Sequence, residues 1–294
     1  MEQNMEQHEK FNDWQFRYQY VYRVRRTTKQ KHRFITALAA DIAKMREDIQ
    51  VIEYNRNKKY AANNIYVGDI EKADRIICTY YDTPPQSFGP YHLFDRKKQS
   101  KGTMGFILAS ALITLLVGLI VTLAYMRIAP NAFDLSAPST IIAALFFGGY
   151  FFLLSKVAKG LSTRSTLIRN TSSILTLLQL IDETKRKNVA FAFLDEGAYG
   201  EVGLKAMQES AKPSAEIFFL DSVGAHTDLH FRGKGISAEK LKQLGIQPHP
   251  GKASINYLFG AVDSKDTSYV LEKNELKQKT LNLANLEKIS QLFD

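Results

Sequence analysis

The chain has 294 residues, with 39 Lys and Arg against 30 Asp and Glu and a formal net charge of +9. At 45% hydrophobic and 23% charged residues it is neither a disordered nor a collagen-like chain. Its one cysteine, Cys78, excludes a disulfide framework and any multi-cysteine zinc or iron–sulfur site. The start, MEQNMEQHEK, is polar and has no apolar core, so no signal peptide is read there. Over 14–24, Trp14, Phe16, Tyr18, Tyr20, Tyr22 and Val24 alternate with mostly polar residues, which predicts a strand. Positions 14, 18 and 22 equally share one helix face, and with Arg17, Arg23, Arg25 and Arg26 such a helix would suit a membrane headgroup zone. Thr28 to Met45 has helical spacing, with Phe34, Leu38, Ile42 and Met45 on one stripe. Ile49 to Tyr54, Asn64 to Val67 and Arg75 to Tyr81 read as short strands.

A mean hydropathy of −0.22 argues against a chain mostly embedded in lipid, but two stretches depart from it. Residues 104–126 form a 23-residue run without charge, and about 20 apolar residues suffice to cross a bilayer. Residues 138–155 are a second, shorter uncharged run, whose Gly148-Gly149 pair suits close helix packing. With a short link between them, the two are expected to form a transmembrane helical hairpin. Arg96, Lys97, Lys98 and Lys101 precede it, and Lys156, Lys159, Arg164 and Arg169 follow it. Positive flanks stay cytoplasmic, so a two-span protein of the cell membrane is expected, with both termini and the soluble domain in the cytoplasm. Attraction to an anionic inner leaflet then accounts for the basic balance. The chain carries no nucleic-acid-binding motif, and nucleic acid is not expected as a partner.

Beyond the hairpin, helices are expected over 172–184, 203–210, 237–244 (ended by Gly245) and 283–293. Strands are expected over 189–194, 215–220 and 256–262, with a further strand and turn around Phe231. Alternating strands and helices predict an α/β fold, a three-layer, mostly parallel sheet covered on both faces. The domain reading is an aromatic and basic segment at 1–27, a first part of the soluble domain at 28–101, the hairpin at 102–158 and a second part at 159–294.

Four short motifs in order carry a resemblance. Thr79-Tyr80-Tyr81-Asp82-Thr83 closes one strand, and Asn170-Thr171-Ser172-Ser173 opens a helix. Phe191-Ala192-Phe193-Leu194-Asp195 leads into Gly200-Glu201-Val202-Gly203, and Leu220-Asp221-Ser222-Val223-Gly224 closes another strand. The chain resembles the zinc-dependent exopeptidases typified by bacterial leucyl aminopeptidases, glutamate carboxypeptidases and glutaminyl cyclases, from about Thr28 to Asp294, interrupted by the hairpin. The resemblance implies an aminopeptidase-like fold and a two-zinc centre. It places Tyr80 where the family has a ligand histidine, Asn170 where it has a bridging aspartate, and Gly197-Ala198 where it has a Glu-Glu pair. Glu196 and Glu201 lie near that pair. Asp82 matches a residue that orients a ligand histidine, Asp221 matches a ligand, and no histidine stands near Leu271 or Glu272 where the last ligand falls.

Zinc pairs need imidazole or carboxylate donors and compensating charge, so neither catalytic residues nor a cofactor is expected. The weak metal candidates are Asp221, His226 and His230, with His249 further on; zinc is the one cofactor kept as an alternative. Local explanations compete at several positions: Asp82 as a turn cap before Pro84-Pro85, and Ser172 and Ser173 as a helix N-cap. Three functions remain open on this evidence. One is a membrane-anchored, catalytically degenerate aminopeptidase-like protein that acts by binding, as subunit or regulator of a membrane complex. The others are an active metal-dependent hydrolase with altered ligands and a membrane-tethered peptide-binding module. The partners expected are the membrane and another membrane protein or a peptide.

Overall fold

The computed structural model describes residues 2–54, 62–129, 134, 138–184, 186–198, 200–251, 254–263 and 268–294. In chain order its helices are α1 (Glu2–Phe16), α2 (Thr28–Ala43), α3 (Arg96–Ile128), α4 (Pro138–Ala158), α5 (Ser172–Glu183), α6 (Val202–Ser210), α7 (Ala238–Gln243), α8 (Lys273–Leu276) and α9 (Leu283–Phe293). Its strands are β1 (Ile49–Tyr54), β2 (Ala62–Val67), β3 (Arg75–Tyr80), β4 (Tyr91–His92), β5 (Val189–Leu194), β6 (Glu216–Asp221), β7 (Leu229–Gly233), β8 (Gln247–Pro250), β9 (Ile255–Gly260), β10 (Val262–Asp263) and β11 (Tyr269–Leu271). Two π-helical turns, Arg17–Val21 and Leu167–Thr171, adjoin α1 and α5. The chain divides into two compact units, residues 1–84 with 164–294, and residues 85–163.

The first unit is built on an eight-stranded sheet of order β1-β2-β5-β3-β6-β9-β7-β8. Its centre, β5-β3-β6-β9, is parallel, and β7-β8 is parallel too; β1-β2, β2-β5 and β9-β7 are antiparallel. The sheet is therefore mixed, not mostly parallel. The parallel strands are the continuous apolar runs, such as VAFAFL, because they are buried on both faces. On one face Ile76 and Cys78 of β3, with Ala190, Ala192 and Leu194 of β5, pack under Leu204 and Met207 of α6. The alternate residues point the other way, where Phe218 meets Phe293 of α9 edge to face at 5.1 Å. There α5 lies against β3, β5 and α9. Nine of its twelve residues are buried, and each Leu or Ile so buried contributes roughly 1.5–3 kcal/mol. At the far edge, β8 reads QPHP. Its two prolines hide it from sequence patterning, but an outermost strand tolerates them.

The N-terminal segment is a helix, not a strand. Trp14 and Tyr18 are buried while Phe16 and Tyr20 are exposed, a period near four. Tyr18 Oη donates to Asp41 Oδ2 at 2.6 Å. Arg17 pairs with both oxygens of Asp41, and Lys10 with Asp182 of α5 at 2.7 Å. The buried face is thus satisfied by protein, which corrects the assignment of these aromatics to a headgroup zone. A capping box opens α2: Gln30 N donates to Thr27 Oγ1, and Thr27 N to Gln30 Oε1. Gly245 ends α7 in the left-handed region, at φ 65°.

In the second unit, α3 and α4 are long and apolar enough to cross a membrane. They run antiparallel: Gly118 lies under Tyr150, and Ile107 lies under Gly160. A Cβ at Gly118 would come within 2.3 Å of the Tyr150 hydroxyl. That approach lets Tyr150 Oη donate to the Thr114 carbonyl at 3.0 Å, a bond between apolar helices.

Candidate functional site

The positions singled out by the resemblance converge at the carboxyl ends of the parallel strands, where open α/β sheets place their ligands. Tyr80 ends β3 and Asp221 ends β6. Gly197 lies against Tyr80, so close that a Cβ there would come within 2.2 Å of the tyrosine Cβ. Asp195 and Asp221 are each followed by a non-glycine residue in the left-handed region, Glu196 at φ 54° and Ser222 at φ 55°. Such strain needs support from its surroundings. Ser222 has it: its amide and hydroxyl both donate to the Arg169 carbonyl, and its hydroxyl also lies 2.8 Å from Asp221 Oδ1.

Asp82 is buried and does not cap its own turn. Its Oδ1 accepts from the amides of Gly197 at 2.9 Å and Ala198 at 3.0 Å, across the sheet end. Burial, and then the neighbouring Asp195, push its carboxyl up to about 6; Lys31 and the two amides oppose that rise. Asp195 is itself fully buried and forms an ion pair with Lys31 of α2. It also accepts from the amides of Asn63 and Glu196.

Asn170 lies in the π-turn before α5, fully buried. Its Nδ2 donates to the Asp82 carbonyl at 2.9 Å and its Oδ1 accepts from Arg25 at 2.9 Å. Ser172 and Ser173 do not cap α5. The turn runs straight into the helix, so the Ser172 amide already has the Leu167 carbonyl, and the Ser172 hydroxyl donates back to Ile168 O. Arg169 is buried too, and its Nε donates to the Tyr80 hydroxyl at 3.0 Å. Arg25 and Arg169 are thus interior groups, not headgroup or flanking charges. With Lys31 and Asp195 they are the site residues that sequence reasoning passed over. Their signal was faint: an arginine beside an aromatic run or a membrane span reads as a surface cation.

The histidines do not join this cluster. His226 is exposed and bonds the Thr280 carbonyl, whereas His230 is buried on β7. The Ala261 carbonyl can only accept, so His230 Nε2 carries the proton and donates to it at 3.0 Å. His230 Nδ1 lies 2.9 Å from His249 Nε2. Asp221, His226 and His230 therefore hold separate partners, and no group of three metal-binding side chains occurs among the described residues.

The donor chemistry at the strand ends does not fit a zinc pair. Among the six matched positions, Asp82 and Asp221 offer carboxylates, Asn170 an amide already engaged at both ends, and Gly197 and Ala198 no side-chain donor.

No family model matches the sequence, and no curated sequence matches it. Solved structures do match its fold. A glutaminyl cyclase from Tannerella forsythia superposes with a TM-score of 0.55 at 11% identity, over 96% of this chain and 95% of that one. A Zn-dependent exopeptidase from Parabacteroides distasonis gives 0.53 at 12% identity, over 95% and 94%. A leucine aminopeptidase precursor from Bacteroides thetaiotaomicron gives 0.51 at 10%, over 96% of each. The fold is accordingly that of the zinc-dependent exopeptidases and glutaminyl cyclases. At these identities the likeness concerns the fold alone.

Proposed function

We propose that this chain is a membrane-anchored, zinc-free relative of the aminopeptidase-like enzymes that acts by binding, as a subunit or regulator of a membrane complex. Asn170 carries this reading. The side chain in the bridging position is an amide, with its oxygen held by a buried guanidinium and its nitrogen by a backbone carbonyl. A second cation there would add uncompensated buried charge beside Arg25. The two apolar helices support a two-span anchor, and the basic residues outside them support a cytoplasmic domain and termini.

The purified full-length chain is expected to hold no stoichiometric zinc and to leave aminoacyl substrates uncleaved. Two metal equivalents per chain by elemental analysis would overturn the reading. Hydrolysis abolished both by a chelator and by Asp221→Ala would do the same and favour an altered-ligand hydrolase. A peptide retained by the metal-free protein would favour a peptide-binding module, and a stoichiometric membrane protein recovered in mild detergent would support the regulator.

A further inference from the structure

The N-terminal arm, residues 2–26, ends by burying Arg25 beneath the carboxyl end of β3. The backbone there is paired both ways: Arg25 N donates to Thr83 Oγ1 at 2.8 Å, and Thr83 N to the Arg25 carbonyl at 2.9 Å. The guanidinium reaches three segments at once. Nε donates to the Tyr81 carbonyl at 2.6 Å, and Nη1 to the Tyr22 carbonyl at 3.2 Å. Nη2 donates to Asn170 Oδ1 at 2.9 Å and to Thr171 Oγ1 at 3.0 Å. The Phe34 ring lies 5.0 Å from its carbon centre, a cation–π contact that a desolvated cation strengthens.

Asn170 meets two demands together. The guanidinium requires an acceptor, and the Asp82 carbonyl requires a donor. A carboxamide supplies both. A carboxylate of the same size would set a second acceptor 2.9 Å from that carbonyl.

We propose that Arg25 is a built-in cation that clamps the end of β3 to the start of α5, at the position where the resemblance places the bridging metal ligand. The N-terminal arm is then a cross-link of the domain, and its docking depends on this one side chain. The clamp shares with the metal-free reading only the identity of position 170; its contacts stand without it.

Trp14 is the one tryptophan of the chain and is buried in the arm, so its emission reports docking directly. In the full-length protein in detergent, Trp14 should be shielded from acrylamide, and its thermal transition should coincide with that of far-ultraviolet dichroism. In Arg25→Met and Arg25→Lys, Trp14 should become several-fold more quenchable while the dichroism is still native, and its transition should fall below the global one. Lysine keeps the charge but lacks the planar fork that reaches several acceptors. Thr171→Val leaves the arm untouched and should move Trp14 the same way by less; it decides the matter if the Arg25 variants do not fold. Native shielding and coincident transitions in Arg25→Lys and Thr171→Val would overturn the clamp and leave the metal-free reading intact. Stoichiometric zinc in the wild-type chain would overturn that reading and leave the clamp.

Discussion

At Asp82, a carboxylate placed in the interior holds its proton more tightly than it would in the unfolded chain. Its folded value is about 6, against roughly 3.9 for a free aspartate. The native state therefore binds more protons than the unfolded state between those values, and this group's contribution to stability falls as pH rises from about 4 through about 6. A two-unit difference corresponds to roughly 3 kcal/mol. Asp82→Asn keeps an acceptor for Gly197 and Ala198 but removes the titration. The melting temperature of the variant should thus decline less than that of wild type between about pH 4 and pH 7. Parallel profiles for the two proteins would refute the assignment. The sequence marked Asp82 by its motif, yet its partners lie 115 and 116 residues away, beyond any local pattern.

Among the elements, the arm and α2 depend on one aromatic seam. Phe34 stacks on Tyr81 at 5.1 Å, meets Tyr18 edge to face at 5.6 Å and lies beside Arg25. It is fully buried, so Phe34→Ala should cost about 3–5 kcal/mol in chemical denaturation. Tyr20→Ser, on the opposite face of the arm, should stay within about 0.5 kcal/mol. Equal losses at the two sites would contradict the helical period that separates Tyr18 from Tyr20. The alternation of aromatics over 14–24 satisfied strand and helix patterns together. What separates them is the surface the segment meets, the Asp41 carboxylate and α5, and no local pattern contains that surface.

For the whole molecule, the first unit draws β1 to β3 from before the apolar pair of helices and the other strands of its eight-stranded sheet from after it. Both parts must then lie on the same side of any membrane the two helices cross. With the basic residues retained inside, a cysteine introduced at Ser136 should react with an impermeant thiol reagent in intact cells. Cysteines at Ser100 and Ser162 should react only once the membrane is opened. Cys78 is buried and leaves the background low. Labelling at Ser162 but not at Ser100 in intact cells would require an odd number of spans, which would place the two halves of one sheet on opposite sides of the bilayer.

The sequence by itself determined what depends on neighbours along the chain. The apolar runs of β3, β5 and β6, the stripes of α2, α5 and α9, the Gly245 stop and the two long apolar helices are all legible as composition and period. So was the order of four weak motifs that leads to the fold of the solved exopeptidases and cyclases. Only the tertiary structure decided the mixed sheet, because the direction of a strand relative to its neighbour depends on pairing across the chain. It alone turned Arg25 and Arg169 inward and bonded His230 to His249 instead of to a metal cluster with His226. The physical reason is common to these cases: a polar side chain is defined by the partner that satisfies it once buried, and here that partner lies tens to more than a hundred residues away.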